Sequence, residues 1–544
     1  MLLNPNATYR DNYDRFTWAV PEFYNIARDV CDRHADGANG TALIHEQADG
    51  TAARYSYRDI QRMANRMANV FLANGAKRGD VVMILLGQDP IAAAAHVACW
   101  KAGLISLPTS VLFGAEALAY RLNDSGAIFA LTDRSNLEKL NEARQQAGEL
   151  RQIFVTDGEG AGGVSLSGVM QMASDRFDTV VTRAEDPAFI NYSSGTTGWP
   201  KGVLHAHRAM IGHIPGAELL FDFYPDAGDT VWSPADWSWL AGLMDILMPF
   251  WFYGATVVAS RARKFDPEHA FHLMVRHSVS TTLLTPTTLR MMRQVPLEGI
   301  RDRLKLRVIV SGGESVGAEL ADWTARELKT QLNEVFGQTE CNLVLGHNAG
   351  LITPRPGSLG MPVPGHQVAI IDDQGIVVPN GDVGHLAVRR PDPVMFLEYW
   401  RKPEATREKF IGEWMITGDL GSRDDDGYFW FKGRADDVIT SSGYRIGPGE
   451  IEDVIARHDS VAMAAVIGVP DEERTERIKA FVVLRPGARE SSELAEAIRA
   501  FVAERLARHE CPREIAFVSS LPMTTNGKII RRELRERETA ARDR

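Results

Sequence analysis

Val81-Val-Met-Ile-Leu-Leu86 is an unbroken apolar run of strand length that ends at Gly87, and an alanine-rich stretch of helical character follows over residues 91–102. The pair repeats: Ile105-Ser-Leu107 precedes a helix-period segment over 115–122, and further short apolar runs lie at 127–131 and 153–155. A strand open to water on one side alternates apolar and polar residues, whereas runs apolar throughout must be covered on both faces. Such strands separated by helices predict a parallel sheet with helices packed on either side. The alternation resumes in Thr281-Thr-Leu-Leu284, a helix from Pro286, and Arg307-Val-Ile-Val-Ser-Gly-Gly313, which predicts a second doubly wound subdomain.

Working outward, residues 351–390 change to short strands punctuated by Pro354, Pro356, Gly357, Gly360, Pro362, Pro364 and Gly365, as in a small β-rich subdomain. After Arg434 come strand-like runs at 461–469, 480–484 and 515–518, with helical patterns around 450–458 and over 491–508. The roughly 110 residues there suffice for a small domain. The expected fold class is α/β: a large N-terminal body over residues 1–435, with two doubly wound α/β subdomains and a β-rich piece, then a small α+β domain over 436–544. The last 14 residues, from Arg531, mix Arg with Glu and Asp and read as a solvated, fraying helix.

The chain has 544 residues, 44% hydrophobic and 24% charged, with a net charge of −11. That apolar content supports a sizeable core and excludes a mainly disordered or fibrous chain. The acidic balance argues against a nucleic-acid partner and against an anionic membrane surface. Cys31, Cys99, Cys341 and Cys511 lie far apart, without the spacing of a disulfide framework or zinc knuckle, which suits a reducing compartment. The start, MLLNPNATYRDNYD, lacks the basic and apolar regions of a secretory signal, so a cytoplasmic location is expected. Residues 239–259 carry one charge, Asp245, over nearly the length of a membrane span, but Pro249 and Gly254 divide them into a buried helix and a buried strand. No stable membrane insertion is expected.

The densest chemical signal is Tyr192-Ser193-Ser194-Gly195-Thr196-Thr197-Gly198-Trp199-Pro200-Lys201-Gly202, directly after the apolar Ala188-Phe-Ile190. Glycines let backbone approach a ligand, and hydroxyls with one lysine supply donors without acceptor charge, a set suited to nucleotide phosphates. It is not the G-x-x-x-x-G-K-[ST] loop, because Gly202 follows Lys201. Taken alone, it also fits an ordinary polar turn.

This loop resembles the phosphate-binding signature of the AMP-forming acyl-CoA synthetases, the adenylate-forming family that includes luciferases and peptide-synthetase adenylation domains. Further signatures follow in the family's order up to residue 532: Ser311-Gly-Gly-Glu314-Ser315, Glu334-Val-Phe-Gly-Gln-Thr-Glu340, Trp414-Met-Ile-Thr-Gly-Asp419, Gly433-Arg434-Ala-Asp436 through Gly443-Tyr-Arg445, and Pro522-Met-Thr-Thr-Asn-Gly-Lys528. The resemblance implies ATP, Mg²⁺ and coenzyme A, the last as a substrate, and no nucleic acid. It implies phosphate contacts from Ser193, Ser194, Gly195, Thr196, Thr197, Gly198 and Lys201. Adenine would lie against Gly313, Glu314 and Ser315 and against Glu334, Val335, Phe336, Gly337, Gln338 and Thr339. It also implies Mg²⁺ on Glu340 and Thr196, and ribose on Asp419 and Arg434. Asp436 matches the hinge of a mobile lid, Gly443, Tyr444 and Arg445 match the CoA channel, and Lys528 is the catalytic lysine of that lid.

The residue chemistry agrees. A carboxylate after Thr-Gly can accept two ribose hydroxyls, oxygen ligands suit Mg²⁺, the guanidinium fork of Arg434 suits a ribose or an anionic intermediate, and the Lys528 ammonium opposes charge building on the α-phosphate. Plainer readings stand beside these: a helix-cap Asp419, a surface ion pair for Arg434, a structural Glu340 and a solvated Lys528.

For the acyl pocket, relatives specific for acetate place Trp immediately before Gln-Thr-Glu, where this chain has Gly337. The expectation is room for a longer acid, at ~0.8 kcal/mol per buried CH₂. Asp236-Trp237-Ser238-Trp239 resembles the aromatic wall of medium-chain enzymes, although Trp237 and Trp239 also fit as core residues. His205-Ala-His207 with His213 lacks zinc-ligand partners, and the family keeps a His such as His207 beside the acyl pocket. The implied substrate is a medium-length, branched or cyclic carboxylic acid; the alternatives are a benzoate-type aryl-CoA ligase or a stand-alone module loading a carrier protein. A homodimer, and a lysine acetyltransferase acting on Lys528, complete the expected partners.

Overall fold

The structure is a computed structural model. It describes every residue except 48, 194–198, 224–227, 261–264, 315, 436, 438, 442–443, 472–474, 507–509, 524–528 and 543–544, together with the side chains of 440, 444, 445, 450, 541 and 542. The chain divides into two compact units. The first is built from Met1–Gly195, Trp199–Val368 and Val388–Glu413, and the second from Ala369–Ala387 and Trp414–Arg544.

The run that opens the sequence is the strand Val81–Leu85, near the middle of an eight-stranded sheet in the first unit. Its parallel neighbours are Ile105–Pro108 and Phe129–Thr132, and the latter pairs with Gln152–Val155. Alternate side chains enter opposite cores: Val82 and Ile84 join one apolar cluster, and Val81, Met83 and Leu85 the other. A strand buried on both faces needs no polar alternation, which is why it reads as continuous apolar sequence. The helices Pro90–Ala102 and Ala115–Ser125 end on Gly103 and Gly126, both left-handed, where a side chain would be strained.

The second sheet of this unit runs Ser358–Pro362, Cys341–Gly346, Gln331–Gln338, Val308–Gly312, Thr281–Leu283, Thr230–Trp232, Thr256–Ser260, Thr41–Glu46, Ala52–Ser56. It is parallel from Gln331–Gln338 through Thr41–Glu46 and antiparallel beyond. Residues 239–259 resolve into the short helical stretches Ala241–Leu247 and Met248–Phe252 and the strand Thr256–Ser260. Among the described residues no helix is long and apolar enough to cross a membrane.

Val368–Ile371, Gly384–Arg389, Trp414–Arg423 and Phe429–Arg434, most of whose residues belong to the second unit, form consecutive strands. The β-rich region therefore continues past residue 390, where the sequence reading ended it. The C-terminal part holds a five-stranded sheet around the long hairpin Val461–Asp471 and Thr475–Leu484. The second strand of that hairpin begins five residues earlier than its apolar core, because backbone pairing carries Thr475, Glu476 and Arg477 along with it. The helix Ser492–Ala503 ends before the predicted 508.

The terminal helix, Arg531–Arg542, is the larger departure. It is not simply solvated: Leu534 is 2% exposed and packs with Val469, Phe481 and Leu521. Lys479 Nζ donates to Glu538 Oε1 at 2.8 Å, so one charged stripe of the helix is paired rather than wet.

Candidate active site

Strands Pro187–Ser193 and Lys201–Ala206 are antiparallel neighbours with Ser193 opposite Lys201. These two strands flank the hydroxyl-rich segment in the sequence, and its residues 194–198 lie outside the described residues. The strand pair is well anchored: the Tyr192 hydroxyl donates to Asp124 Oδ2 at 2.7 Å, and Asp124 also takes Lys402. Asn191 Nδ2 donates to the Ser238 carbonyl at 3.3 Å, which brings the Trp237–Trp239 segment against the strand entering the loop.

Lys201 Nζ sits 5.0 Å from the ring centroid of Tyr399, whose strand Glu398–Tyr399 pairs with Lys201–Ala206. The Tyr399 hydroxyl donates to Glu340 Oε1 at 2.5 Å, and Glu340 is 7% exposed. Lys201, Tyr399 and Glu340 thus form one row of cation, phenol and carboxylate. Tyr399 was missed in the sequence; it is 59 residues from Glu340, and no local pattern links them. Behind the row, His205 Nε2 donates to the Thr339 carbonyl at 2.8 Å while its ring stacks on Phe189.

The two adenine-type segments lie side by side, since strands Val308–Gly312 and Gln331–Gln338 are parallel with Ser311 opposite Glu334 and Gly312 opposite Val335. A Cβ at Gly312 would stand 2.5 Å from the Val335 carbonyl oxygen, and Gly313 has φ of +83°, so both positions need glycine. Burial pushes the Glu334 carboxyl up to about 7, against a weak opposing bond from the Val316 N–H. Glu314 accepts from the Thr287 hydroxyl and Arg290. Gln338 Oε1 accepts from Lys409 at 3.1 Å, and Phe336 and Leu345 are register partners. Ser315 lies outside the described residues.

Gly337 departs from the sequence reading. A Cβ there would stand 2.5 Å from both Asn342 Oδ1 and the Leu343 nitrogen, so the missing side chain leaves no open space at that point. Asn342 is held by Asp245, at 2.5 Å, and Leu343 has φ of +53° in a bulged hairpin. Gly216 on the helix Ala209–Leu220 would likewise meet the Leu343 Cβ, at 2.6 Å. Both glycines make room for the bulge. Burial raises the Asp245 carboxyl well above its usual range. Trp237 belongs to the first apolar core, and Trp239 is half-buried.

His207 accepts from the Ile26 N–H at 3.2 Å, and His213 donates to the Ala209 carbonyl at 2.6 Å. Burial holds His205 and His207 down at about 3 and His213 at about 4, so all three are neutral at physiological pH. Their partners lie in three different places.

In the second unit, Asp419 and Arg434 are register partners on strands Trp414–Arg423 and Phe429–Arg434, and Arg434 Nη1 donates to Asp419 Oδ1 at 3.1 Å. The Thr417 hydroxyl accepts from the Asp419 N–H and donates to the Leu386 carbonyl. Asp436, Gly443 and Lys528, with the side chains of Tyr444 and Arg445, lie outside the described residues; the strands Ile439–Ser441 and Tyr444–Ile446 pair with Ser441 opposite Tyr444.

Residues 31–400 match the AMP-binding enzyme family, and residues 450–528 match the AMP-binding enzyme C-terminal domain. The chain belongs to the AMP-binding enzyme family. It is 34% identical over 545 residues to the acetyl-coenzyme A synthetase of Bacillus subtilis (strain 168), covering 97% of this chain and 94% of that protein. To the mitochondrial acyl-coenzyme A synthetase ACSM3 of Rattus norvegicus it is 31% identical over 546 residues, covering 98% and 93%. Among solved structures it resembles the anthranilate CoA ligase AuaEII in complex with anthranoyl-AMP, with a TM-score of 0.85, 28% identity and coverage of 96% and 99%. This AMP-binding enzyme is an AMP-forming acyl-CoA ligase, an acid–thiol ligase that uses ATP with Mg²⁺ and takes CoA as a substrate. For Mg²⁺, the residues fit: Glu340 offers a hard oxygen donor, almost buried and oriented by the Tyr399 hydroxyl.

Proposed function

We propose that this ligase activates a medium-length, branched or cyclic carboxylic acid larger than acetate. In the first half-reaction a carboxylate oxygen bonds to the α-phosphorus of ATP, the α–β phosphoanhydride bond breaks, and pyrophosphate leaves. In the second, the CoA sulfur, having given up its proton, attacks the acyl carbon and AMP departs with the electron pair.

The observation that carries the adenylation part of the reading is the row of Lys201, Tyr399 and Glu340 beside the strands that flank the hydroxyl-rich segment; the size of the acid rests on the likeness to medium-chain enzymes. On this reading Lys201 and the loop residues from Ser193 to Gly198 take the β- and γ-phosphates, and Glu340 with Thr196 would hold Mg²⁺, which supplies charge neutralisation on the phosphates. Asp419 accepts the ribose hydroxyls while Arg434 steadies it. Gly313 to Ser315 and Glu334 to Thr339 enclose the adenine. Lys528 places its ammonium against charge developing on the α-phosphate, which electrostatic preorganisation favours. No general base is required at this step, because the acid arrives ionised. The lid over 436–544 then turns about Asp436, and Gly443, Tyr444 and Arg445 line the thiol path.

Trp237 and Trp239 form the apolar wall for the acid, with His207 assigned beside it by the family resemblance, while Gly337 acts through the hairpin it permits. The likeness to an anthranilate CoA ligase supports an aryl acid as the second reading.

The test is acid-dependent pyrophosphate release over a panel of straight, branched, cyclic and aryl acids, with and without CoA. Release with Mg²⁺-ATP, strongest for acids of five or more carbons and joined by acyl-CoA formation, is expected. Activity confined to acetate would overturn the substrate assignment, and transfer to a phosphopantetheinylated carrier but not to CoA would make it a loading module.

A further inference from the structure

Arg531 opens the terminal helix three residues after Lys528, and its guanidinium is enclosed by carboxylates. Nε and Nη2 donate side-on to Glu452, at 3.1 Å to Oε1 and 2.6 Å to Oε2. Nη1 donates to Asp437 Oδ2 at 3.0 Å, and the other oxygen of Asp437 accepts from Arg535 Nη2, one helical turn on, at 2.7 Å. Glu452 Oε1 also accepts from the Val466 N–H at 2.7 Å, which ties the cluster to the central hairpin. The side chains of Arg531, Asp437 and Glu452 keep only 17%, 12% and 12% of their exposure. Charges so enclosed hold one geometry, because leaving any of them unpaired is costly.

Both ends of the segment carrying Lys528 are fixed nearby. Met523 bridges Ile529, and the Ile530 N–H donates to the Pro522 carbonyl at 2.8 Å. Leu521 and Leu534 share an apolar cluster that Ile529 packs against. Asp437, held by two arginines, follows Asp436 directly, so a pivot at 436 would carry the arginine cluster with the lid.

We infer that Arg531, clamped by Glu452 and Asp437, is a positioning residue that sets where the Lys528 segment is presented for adenylation. The inference rests on the proposed role of Lys528. A cation contributes to an electrostatic transition state only when placed to within a fraction of an ångström, and a misplacement of about 1 Å can cost about 100-fold.

The test measures each half-reaction separately on the full chain: acid-dependent pyrophosphate release, and acyl-CoA formation from supplied acyl-AMP. Arg531→Ala is expected to lower kcat for adenylation by ~30- to 100-fold with KM for ATP within about twofold, and to change thioester formation by less than about threefold. Arg531→Lys, which keeps the charge but loses the side-on pair, should recover part of that kcat. Added to Lys528→Ala, Arg531→Ala should cause no further loss. Asp437→Asn, close to isosteric, should lower adenylation by about tenfold and serves if Arg531→Ala does not fold. Equal loss of both half-reactions would overturn the inference. If Lys528→Ala abolishes adenylation while Arg531→Ala and Asp437→Asn leave it intact, the inference fails and the proposed function stands.

Discussion

Arg434 and Asp419 face each other across two antiparallel strands, and the guanidinium donates to the carboxylate at 3.1 Å. Gly418, at φ +85°, brings the turn so close that an added Cβ would meet the Arg434 guanidinium at 3.2 Å. The pair is thus built into the strand register rather than left to side-chain freedom.

On the proposed reading, Asp419→Asn removes the charge that accepts the ribose hydroxyls. Charge-assisted hydrogen bonds contribute about 1.5–3 kcal/mol, so KM for ATP should rise by roughly ten- to hundredfold with a smaller change in KM for the acid. Steady-state kinetics with each substrate varied checks this, and an unchanged KM for ATP would free Asp419 from that role.

Tyr399→Phe deletes the hydroxyl that orients Glu340 and keeps the ring beside Lys201. Outer partners of metal ligands typically affect affinity by about 10- to 100-fold. The Mg²⁺ concentration for half-maximal pyrophosphate release should rise accordingly, with activity largely restored at saturating Mg²⁺. A Mg²⁺ titration identical to the parent enzyme would show that the hydroxyl does not orient a metal ligand.

Gly337→Ala pushes a methyl toward Asn342 and the Leu343 backbone. Overpacking of this kind costs about 1–3 kcal/mol. The expected result is a thermal midpoint lower by several degrees with the ranking of acids preserved. A shift toward acetate or propionate at unchanged stability would instead place Gly337 on the acid itself.

Glu334 is an acid whose folded pKa, about 7, lies above its unfolded value. Between pH 4.5 and 7 the folded protein holds a proton that the unfolded chain has released, so stability falls as pH rises through that window. Glu334→Gln removes this dependence. Its thermal midpoint should gain on the parent from pH 5 to pH 7.5, by an amount worth up to about 3 kcal/mol. Parallel midpoint curves for the two proteins would refute the protonation.

The central strands were legible because their burial is two-sided and local: Val81–Leu85 reads as apolar whichever face each residue meets. The glycines at 312 and 313 were legible for a similar reason, since a close approach to the neighbouring strand or a positive φ demands glycine at definite positions. The Asp419 turn was legible in the same way.

The terminal helix was misread as solvated because its charges alternate in sequence, and nothing local shows that Glu452 and Asp437 meet Arg531. Gly337 shows the converse: the absence of a side chain is visible in sequence, but what fills the space is decided by Asn342, Leu343 and Asp245. Tyr399 reaches Glu340 only because its strand pairs with Lys201–Ala206. The sequence by itself determined the α/β class, the family signatures and the order in which they follow along the chain. Only the tertiary structure decided which of those groups touch, because ion pairs, phenol–carboxylate bonds and close strand contacts depend on separation in space, and residues far apart in the chain carry no local mark of it.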